Sequence, residues 1–247
     1  MNPVPLRSLD MLVRKLESIA SLSHDERLAI QNLPTKTRTV HPGQDIVQDG
    51  DQPSNCWLLL DGWMARYKDI SEGRRQILSF HIPGDVPDLQ SLHLAVMDHS
   101  IRAISPSTVA LIPHDSLRAL MVRFPNLAVA LWRETLVDAA LFRTWMVGMG
   151  QRSARERMAH LFCEMYAKLH AVGLADRHCV EWPLTQVDMA HALGLSNVHV
   201  NRALQDLRGQ GLIILERRTL TIPNWSALCQ KAGFDPIYLH LEKRAAA

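Results

Sequence analysis

Side chains suited to contacts with DNA bases and phosphates are concentrated between residues 185 and 218. An arginine such as Arg202 can form two hydrogen bonds with a guanine, and Asn197 or Asn201 can do the same with an adenine. Arg217 and Arg218, together with hydroxyl and amide side chains, can contact phosphate oxygens. The candidate contact residues are Thr185, Gln186, Ser196, Asn197, Val198, His199, Asn201, Arg202, Arg217 and Arg218.

Two short helices separated by a glycine are predicted to position most of these side chains. Thr185 is a favourable N-cap, and Asp188 three residues later is its expected capping partner. Gly194 stands where the first helix must end, because a left-handed residue at that point suits glycine. Ser196 then caps a second helix over residues 197–209. Its predicted inward face is Val200, Ala203, Leu204 and Leu207.

The stretch from residue 211 to 223 predicts two short strands around Glu216, Arg217 and Arg218. A short helix, a glycine turn, a capped second helix and a hairpin are typical of a winged helix-turn-helix. In such a domain the second helix lies in the major groove of DNA. Two short helices with a glycine turn also occur in other α domains, so a protein-interaction module remains the alternative.

The region from residue 39 to 113 has a different sequence pattern, without helical periodicity. Short apolar runs such as 56–60, 63–67 and 76–80 alternate with turns at Gly43, Gly50, Gly62, Gly73 and Gly84. Strands at this regular spacing with glycine turns indicate an antiparallel sandwich or roll. The interior of such a roll can hold a small ligand.

Helical periodicity surrounds this region, over residues 8–32, 115–122 and 153–170, and a long helix is predicted from residue 124 to about 150. The long helix carries apolar residues on two faces, which indicates burial on two sides. We expect one face to pack on the roll and the other on a second copy of the chain. The candidate dimerisation residues are Val129, Trp132, Leu136, Ala140, Leu141 and Trp145.

The predicted fold is therefore of the α+β class. Residues 1–122 form an N-terminal antiparallel β-roll that acts as a sensor, residues 123–150 form a dimerisation helix, and residues 151–247 form a winged helix-turn-helix domain.

Composition excludes several classes of protein. The 247 residues carry 27 Lys and Arg against 25 Asp and Glu, a net charge of +2. Residues 151–247 carry 12 Lys and Arg against 9 Asp and Glu and are therefore mildly basic, which is compatible with a polyanion partner.

No apolar run reaches the ~18–20 residues of a membrane helix, and no signal peptide is evident. The four scattered cysteines then predict reduced thiols in the cytoplasm. No GxSxG, phosphate loop or HExxH motif is present, so no enzyme activity is predicted.

Several short motifs in order resemble the cyclic-AMP receptor/FNR (Crp/Fnr) family of bacterial transcription regulators. The resemblance implies a homodimer joined by the long helix, an effector or redox sensor in the roll, and a two-fold symmetric DNA operator. Contact with RNA polymerase is a further implication. The matching runs are Pro42-Gly43-Gln44, Gly50-Asp51, Leu59-Leu60-Asp61-Gly62, Gly73-Arg74-Arg75-Gln76-Ile77-Leu78, Pro83-Gly84-Asp85, Leu193-Gly194-Leu195-Ser196 and Val200-Asn201-Arg202.

Departures from the family pattern bear on the effector. Members that bind cyclic AMP grip its phosphate with an Arg-Ser or Arg-Thr pair, and that place falls at about Met97-Asp98 here. A methionine and an acid would not bind a phosphate, so cyclic AMP is not the expected effector. The family's effector loop coincides with Asp85 and Asp88, and Arg102 lies nearby, so these three are the candidate effector residues.

Neither an iron–sulfur cluster nor a metal site is expected. An iron–sulfur cluster needs four thiolates or close substitutes, whereas Cys56 is the one cysteine of the first 150 residues. No other cofactor is expected, although a haem-dependent gas sensor remains an alternative because some relatives sense gas through haem. Its axial ligand would come from the histidines of the roll, which are His41, His81, His93, His99 and His114.

The second helix also departs from many family members, which have a glutamate at the position of Val198. A glutamate can accept a hydrogen bond from cytosine, whereas valine can contact a thymine methyl group. The predicted function is a dimeric, sequence-specific DNA-binding regulator with an altered operator. A ligand-sensing module that acts through protein contacts is the alternative from another class.

Overall fold

A computed structural model of the chain describes residues 9–70 and 73–241, and these residues fall into two compact units. Unit 1 comprises residues 9–68, 80–138 and 241. Unit 2 comprises residues 69–70, 73–79 and 139–240. None of the described helices is long and apolar enough to span a membrane. The start of the first predicted helix at residue 8 lies outside the described residues.

Unit 1 begins with two short helices and then forms the roll. The elements are α1 (Asp10–Glu17), α2 (His24–Gln31), β1 (Lys36–Val40), β2 (Asp45–Val47), β3 (Asn55–Asp61), β4 (Met64–Ile70), β5 (Arg74–His81), a 3-10 turn (Leu89–Leu92), β6 (Ser100–Ala103), β7 (Ser107–Pro113), α3 (His114–Arg123) and α4 (Pro125–Gln151). The last residues of β4, most of β5 and the second half of α4 belong to unit 2. The helical region expected over residues 8–32 consists of two helices, and the sequence Ser23-His24-Asp25-Glu26, which has the form of a helix start, begins α2 with a capping box between Ser23 and Glu26.

Two antiparallel sheets build the roll, as the glycine spacing predicts. One sheet has the strand order β1-β7-β3 and the other β2-β6-β4-β5. Alternate residues of the strands point between the sheets, where Leu59, Met64, Ile101 and Val109 are fully buried. The outer side of the β1-β7-β3 sheet packs with the helices through a second apolar cluster, which includes Leu58.

Gly84 fixes where α1 lies against the roll. Its φ of +99° is in the left-handed region, and an added Cβ would lie 2.7 Å from the carbonyl oxygen of Met11 and 2.9 Å from Cβ of Lys15. Only glycine fits this close approach without displacing the helix. The α1 helix is therefore seated directly on the turn that carries Asp85.

Unit 2 contains the predicted DNA-binding domain and three elements that the sequence pattern did not reveal. Its elements after α4 are α5 (Ala154–Ala171), β8 (Cys179–Glu181), α6 (Gln186–Leu193), α7 (Asn197–Gly209), β9 (Ile214–Glu216), β10 (Thr219–Thr221), α8 (Trp225–Ala232) and a 3-10 turn (Pro236–Leu239). The strand β8 was not predicted and pairs with β10, which gives a sheet of order β8-β10-β9. Neither α8 nor the final turn was predicted.

Candidate nucleic-acid interface

The start of α6 confirms the predicted cap. The backbone N–H of Asp188 donates to Oγ1 of Thr185 at 3.1 Å, and the backbone N–H of Thr185 donates to Oδ2 of Asp188 at 2.8 Å. This capping box satisfies backbone donors that an uncapped helix leaves free. Thr185 and Gln186 are both exposed, so the first turn of α6 is open to a partner.

The turn between α6 and α7 also has the predicted geometry. Gly194 has φ +60° and ψ +42°, and the N–H of Leu195 donates to the carbonyl of Ala190 at 3.1 Å. Arg157 of α5 donates through Nη1 to the carbonyl oxygen of Leu193 at 2.7 Å. A partly buried cation therefore satisfies the C-terminal end of α6, and no sequence motif indicates this contact.

The α7 helix has one buried and one exposed face. Val200, Ala203, Leu204 and Leu207 are between 0% and 2% exposed, which confirms the predicted inward stripe. The opposite face is solvent-exposed along the whole helix. It carries Asn197, Val198, His199, Asn201, Arg202, Gln205 and Arg208.

Ser196 caps α7 and also contacts one of the candidate side chains. Its Oγ accepts the backbone N–H of His199 at 3.3 Å and lies 3.0 Å from Nδ1 of the same residue. The hydroxyl oxygen of Ser196 can accept a second hydrogen bond or donate its own proton, so it contacts the ring of His199 in either tautomer. The contact holds the imidazole close to the start of α7.

The hairpin of β9 and β10 confirms the predicted wing. Its two-residue tip consists of Arg217 at φ +44° and Arg218 at φ +63°, both exposed. Glycine or asparagine usually fills such a turn, and a left-handed residue with a side chain costs about 1–2 kcal/mol. Besides the pairing of β10 with β8, the contacts that hold the wing include two hydrogen bonds: the backbone N–H of Trp182 donates to the carbonyl oxygen of Arg218 at 2.8 Å, and Nη2 of Arg208 donates to the carbonyl oxygen of Leu215 at 3.1 Å.

The ten candidate contact residues thus occupy three exposed places within unit 2. These are the first turn of α6, the outer face of α7 and the tip of the wing. The α5 helix packs behind α7, where Nε of Arg155 lies 3.3 Å from Oδ2 of Asp206. The arrangement presents hydrogen-bond donors, acceptors and cations on one motif, which is what contact with a polyanion requires.

The candidate dimerisation residues differ in exposure. Val129, Trp132 and Leu136 of α4 are 59%, 65% and 52% exposed. Ala140 and Leu141 are buried within the chain, which leaves little surface for a partner. The sixth candidate, Trp145, donates its indole N–H to Glu164 of α5, at 3.0 Å from Oε1. Met146 and Val147 were not singled out from the sequence and are 72% and 55% exposed.

Beside the exposed part of α4, unit 1 has a cavity of about 420 Å³. Its wall is mostly apolar and includes Trp132, Val129, Leu94 and Met121, with His93 among the few polar residues. A cavity of this size next to exposed apolar side chains is typical of a surface that is covered in the functional state.

The candidate effector residue Asp85 lies in a buried ion-pair cluster. Oδ1 of Asp85 is 2.8 Å from Nζ of Lys15, and the same ammonium is 3.1 Å from Oε1 of Glu134 on α4. Burial by itself lowers the pKa of Lys15, but the two carboxylates outweigh it and hold this pKa above its usual value. Lys15 thereby ties α1 to the turn after Gly84 and to α4.

A second buried cation joins the roll to α4. Arg66 of β4 is 3% exposed, and its guanidinium donates to Oδ2 of Asp138 and to the carbonyl oxygen of Pro87. The carboxylate of Asp138 neutralises the charge of Arg66 within unit 1. This contact, like that of Lys15, has no sequence motif that would predict it.

Asp88 and Arg102 also make internal contacts. Oδ1 of Asp88 accepts the backbone N–H of Trp57 at 2.8 Å, and burial raises the pKa of Asp88 to about 7. Arg102 pairs with Asp45 at 3.0 Å and lies over the ring of Tyr67. The structure therefore places the three candidate effector residues in three separate networks, and their contact with an effector stays a prediction.

The thiol and imidazole groups of unit 1 bear on iron ligation. Cys56 is fully buried beside Asp88, and burial raises the pKa of its thiol. It is the one cysteine of the first 150 residues, whereas an iron–sulfur cluster needs four thiolates or close substitutes. Three buried histidines each have a ring nitrogen near a side chain of the same unit. The pairs are His81 with Asp85 at 3.6 Å, His99 with Asp98 at 2.6 Å, and His114 with Ser91 at 3.0 Å. These contacts fit hydrogen-bonding roles and do not favour haem ligation. In the described part of the chain, no group of three or more potential ligands could hold a metal ion.

Two family descriptions match the chain. Residues 37–124 match the cyclic nucleotide-binding domain, and residues 156–231 match the Crp-like helix-turn-helix domain. The first range covers the roll with α3, and the second begins in α5 and ends in α8.

Several similar proteins align with most of the chain. The fumarate and nitrate reduction regulatory protein of Escherichia coli K12 is 23% identical over 213 residues, which are 86% of this chain and 85% of that protein. FixK2 from Bradyrhizobium japonicum is 27% identical with a TM-score of 0.73, covering 80% of this chain and 97% of FixK2. A variant of CooA from Carboxydothermus hydrogenoformans is 16% identical with a TM-score of 0.65, covering 93% and 97%, and it shows the shared fold alone.

Proposed function

Because the chain belongs to the Crp/Fnr family of DNA-binding transcription regulators, we propose that it acts as a homodimer on a two-fold symmetric operator. The family is not enzymatic and combines DNA binding with a ligand-sensing domain. The observation that carries the proposal is the exposed polar face of α7, which includes Arg202 and lies beside a wing tipped by two arginines.

The exposed face of α7 supports a division of roles. Arg202 reads a guanine with two hydrogen bonds, and Asn197 or Asn201 reads an adenine. Val198 contacts a thymine methyl group, so the operator differs at this step from that of relatives with glutamate there. The N-terminal turn of α6, with Thr185 and Gln186, binds phosphate, as do the wing arginines.

Ser196 has a more indirect role than a phosphate contact. Its hydroxyl is used by the backbone of α7 and by the ring of His199. We assign it to orienting His199, whose imidazole is exposed on the face of α7 that contacts DNA.

The exposed apolar residues of α4 support dimerisation. Val129, Trp132 and Leu136 recur every three to four residues, which places them on one side of the helix. A second copy of α4 would remove these side chains from water and cover the 420 Å³ cavity beside them. In the dimer the two α7 helices would lie about one DNA turn apart, ~34 Å.

The charges buried between the roll and α4 argue against a cyclic nucleotide as effector. The cations of Lys15 and Arg66 are already paired, with Asp85 and Glu134 and with Asp138 respectively. A phosphate would add negative charge to a region where carboxylates outnumber cations. Both cations also link the roll to α4, so we propose that DNA binding does not require cyclic AMP. Another effector, a redox signal and contact with RNA polymerase belong to this proposal as further expectations.

The proposal is tested by selecting operators from random duplex DNA with the purified full-length chain, with and without cyclic AMP. We expect a palindrome to be enriched equally in both cases. The Arg202→Ala variant should lose about 1–3 kcal/mol of affinity for that palindrome and little affinity for random DNA. Equal losses on both DNAs would remove Arg202 as a base reader. Enrichment only with cyclic AMP would refute the effector part, and no salt-dependent DNA binding at all would favour the protein-interaction alternative.

A further inference from the structure

Two cysteine thiols face each other behind the DNA-contacting motif of unit 2. Cys163 lies in the middle of α5 and is fully buried, whereas Cys229 lies in α8 and is partly exposed. The α5 and α8 helices pack against each other, and the two Sγ atoms are 4.0 Å apart. At this distance the thiols are in contact without a covalent bond.

We propose that Cys163 and Cys229 form a reversible disulfide bond, which makes them a redox modification site of this chain. A disulfide has a sulfur–sulfur length of about 2.05 Å, so the sulfurs must approach by about 2 Å. Closure therefore requires rotation about the Cα–Cβ bonds of both cysteines while the helix backbones stay packed.

The difference in exposure sets the order of the chemical steps. A low-molecular-weight disulfide such as glutathione disulfide reaches Cys229, whose thiolate attacks it and releases one glutathione thiolate. The thiolate of Cys163 then attacks the sulfur of Cys229, the mixed disulfide breaks, and a second glutathione thiolate leaves. The two cysteines lose two protons and two electrons in total, and glutathione disulfide is reduced to two glutathiones.

Burial makes both steps slow. It raises the pKa of the Cys163 thiol and, to a smaller degree, that of Cys229, so little thiolate is present near neutral pH. The pair is therefore expected to stay reduced at low oxidant concentration and to close under sustained oxidation.

The closed loop would have a specific structural consequence. The chain between residues 163 and 229 contains α6, α7 and both wing strands, so one bond would enclose the whole DNA-contacting motif. A cross-link across so long a loop restricts the unfolded chain strongly. We expect oxidation to raise the Tm of unit 2 by about 5 °C or more, reversed by dithiothreitol.

The test uses the full-length chain with Cys179→Ser, because Cys179 is exposed and would form bonds between molecules. This variant is treated with glutathione disulfide, blocked with a maleimide and digested with trypsin. The expected product joins the peptides of residues 158–168 and 219–231 and is lighter by two hydrogen atoms than their sum. Matched variants add Cys163→Ala or Cys229→Ser, and both must lack the product and the rise in Tm.

Two outcomes of this oxidation experiment would contradict the proposed disulfide. Cys229 recovered only as a mixed disulfide with glutathione, or both thiols recovered free after prolonged oxidation, would show that Cys163 does not close the bond. Cys229 is partly exposed, so replacing it with serine disturbs the packing less than a change at the buried Cys163. The Cys229→Ser variant therefore still tests the disulfide if Cys163→Ala fails to fold. No DNA is used, so the outcome does not depend on the proposed function.

Discussion

The hydroxyl oxygen of Ser196 lies 3.3 Å from the backbone nitrogen of His199 and 3.0 Å from Nδ1 of the same residue. It therefore joins the N-terminus of α7 to the His199 ring. One small side chain thus caps the helix and holds the ring of a residue on its exposed face. The imidazole of His199 is thereby positioned on the face of α7 that carries Arg202, from which a ring nitrogen can contact a base edge.

Replacing Ser196 with alanine is expected to have two separable effects. Loss of the cap should lower the free energy of unfolding by about 1 kcal/mol. Loss of the hydroxyl also removes the contact that holds the His199 ring, so operator selection should become less specific at the base that His199 contacts. Ser196→Thr keeps the hydroxyl and is the matched control. If Ser196→Ala loses stability but selects the same operator, the hydroxyl acts as a cap alone.

The wing arginines are expected to contribute affinity without sequence preference. The double variant Arg217→Ala, Arg218→Ala removes two phosphate contacts, so the slope of log Kd against log salt concentration should fall by about 2. The selected operator sequence should not change. Arg177→Ala is the control, because Arg177 is also exposed, basic and left-handed but precedes β8 at the other end of the same sheet. A changed operator sequence in the double variant would instead assign these arginines to base contacts.

The exposed face of α4 predicts the effect of a charge on dimerisation. Trp132→Glu would bury a carboxylate against apolar side chains of the second copy, which should convert the dimer to a monomer in analytical ultracentrifugation. Binding to the palindrome should weaken much more than binding to a single half-site. Val122→Glu is the control, since Val122 is 84% exposed on α3. A Trp132→Glu protein that remains dimeric would place the interface elsewhere.

The Lys15 cluster predicts a pH-dependent loss of stability. The pKa of Lys15 is raised, so its stabilising charge is present at every pH below about 10.5 and is lost only as the pH rises through the higher folded value. Lys15→Met leaves Asp85 and Glu134 without their cation and should cost about 3–5 kcal/mol near pH 7.

The pH dependence of this variant distinguishes a charge effect from lost packing. Burial without a cation raises the pKa of both carboxyl groups, so the folded variant binds more protons than the unfolded one. Its deficit relative to wild type should therefore shrink as the pH falls from 8 to 5 in urea unfolding experiments. Lys36→Met, at an exposed position of β1, is the control. A deficit that is constant over this range would indicate lost packing.

Local sequence patterns predicted the parts of the structure that depend on neighbours in the chain. Thr185 with Asp188, Gly194 and Ser196 specify caps and a left-handed turn through contacts a few residues apart, and the structure confirms all of them. The regular glycines likewise predicted the strands of the roll. By contrast, β8 is three residues long and is defined by pairing with β10, so no local periodicity marks it.

The sequence by itself therefore determined the strands of the roll, the two faces of α7 and the family, because caps, turns and periodic burial are local properties of the chain. Only the tertiary structure decided which charges neutralise each other. Lys15 and Glu134 are separated by more than a hundred residues, and no spacing rule connects them. The same holds for the sulfurs of Cys163 and Cys229, which meet because α5 and α8 pack. Such contacts depend on how helices and sheets pack in three dimensions, and packing is set by the whole chain.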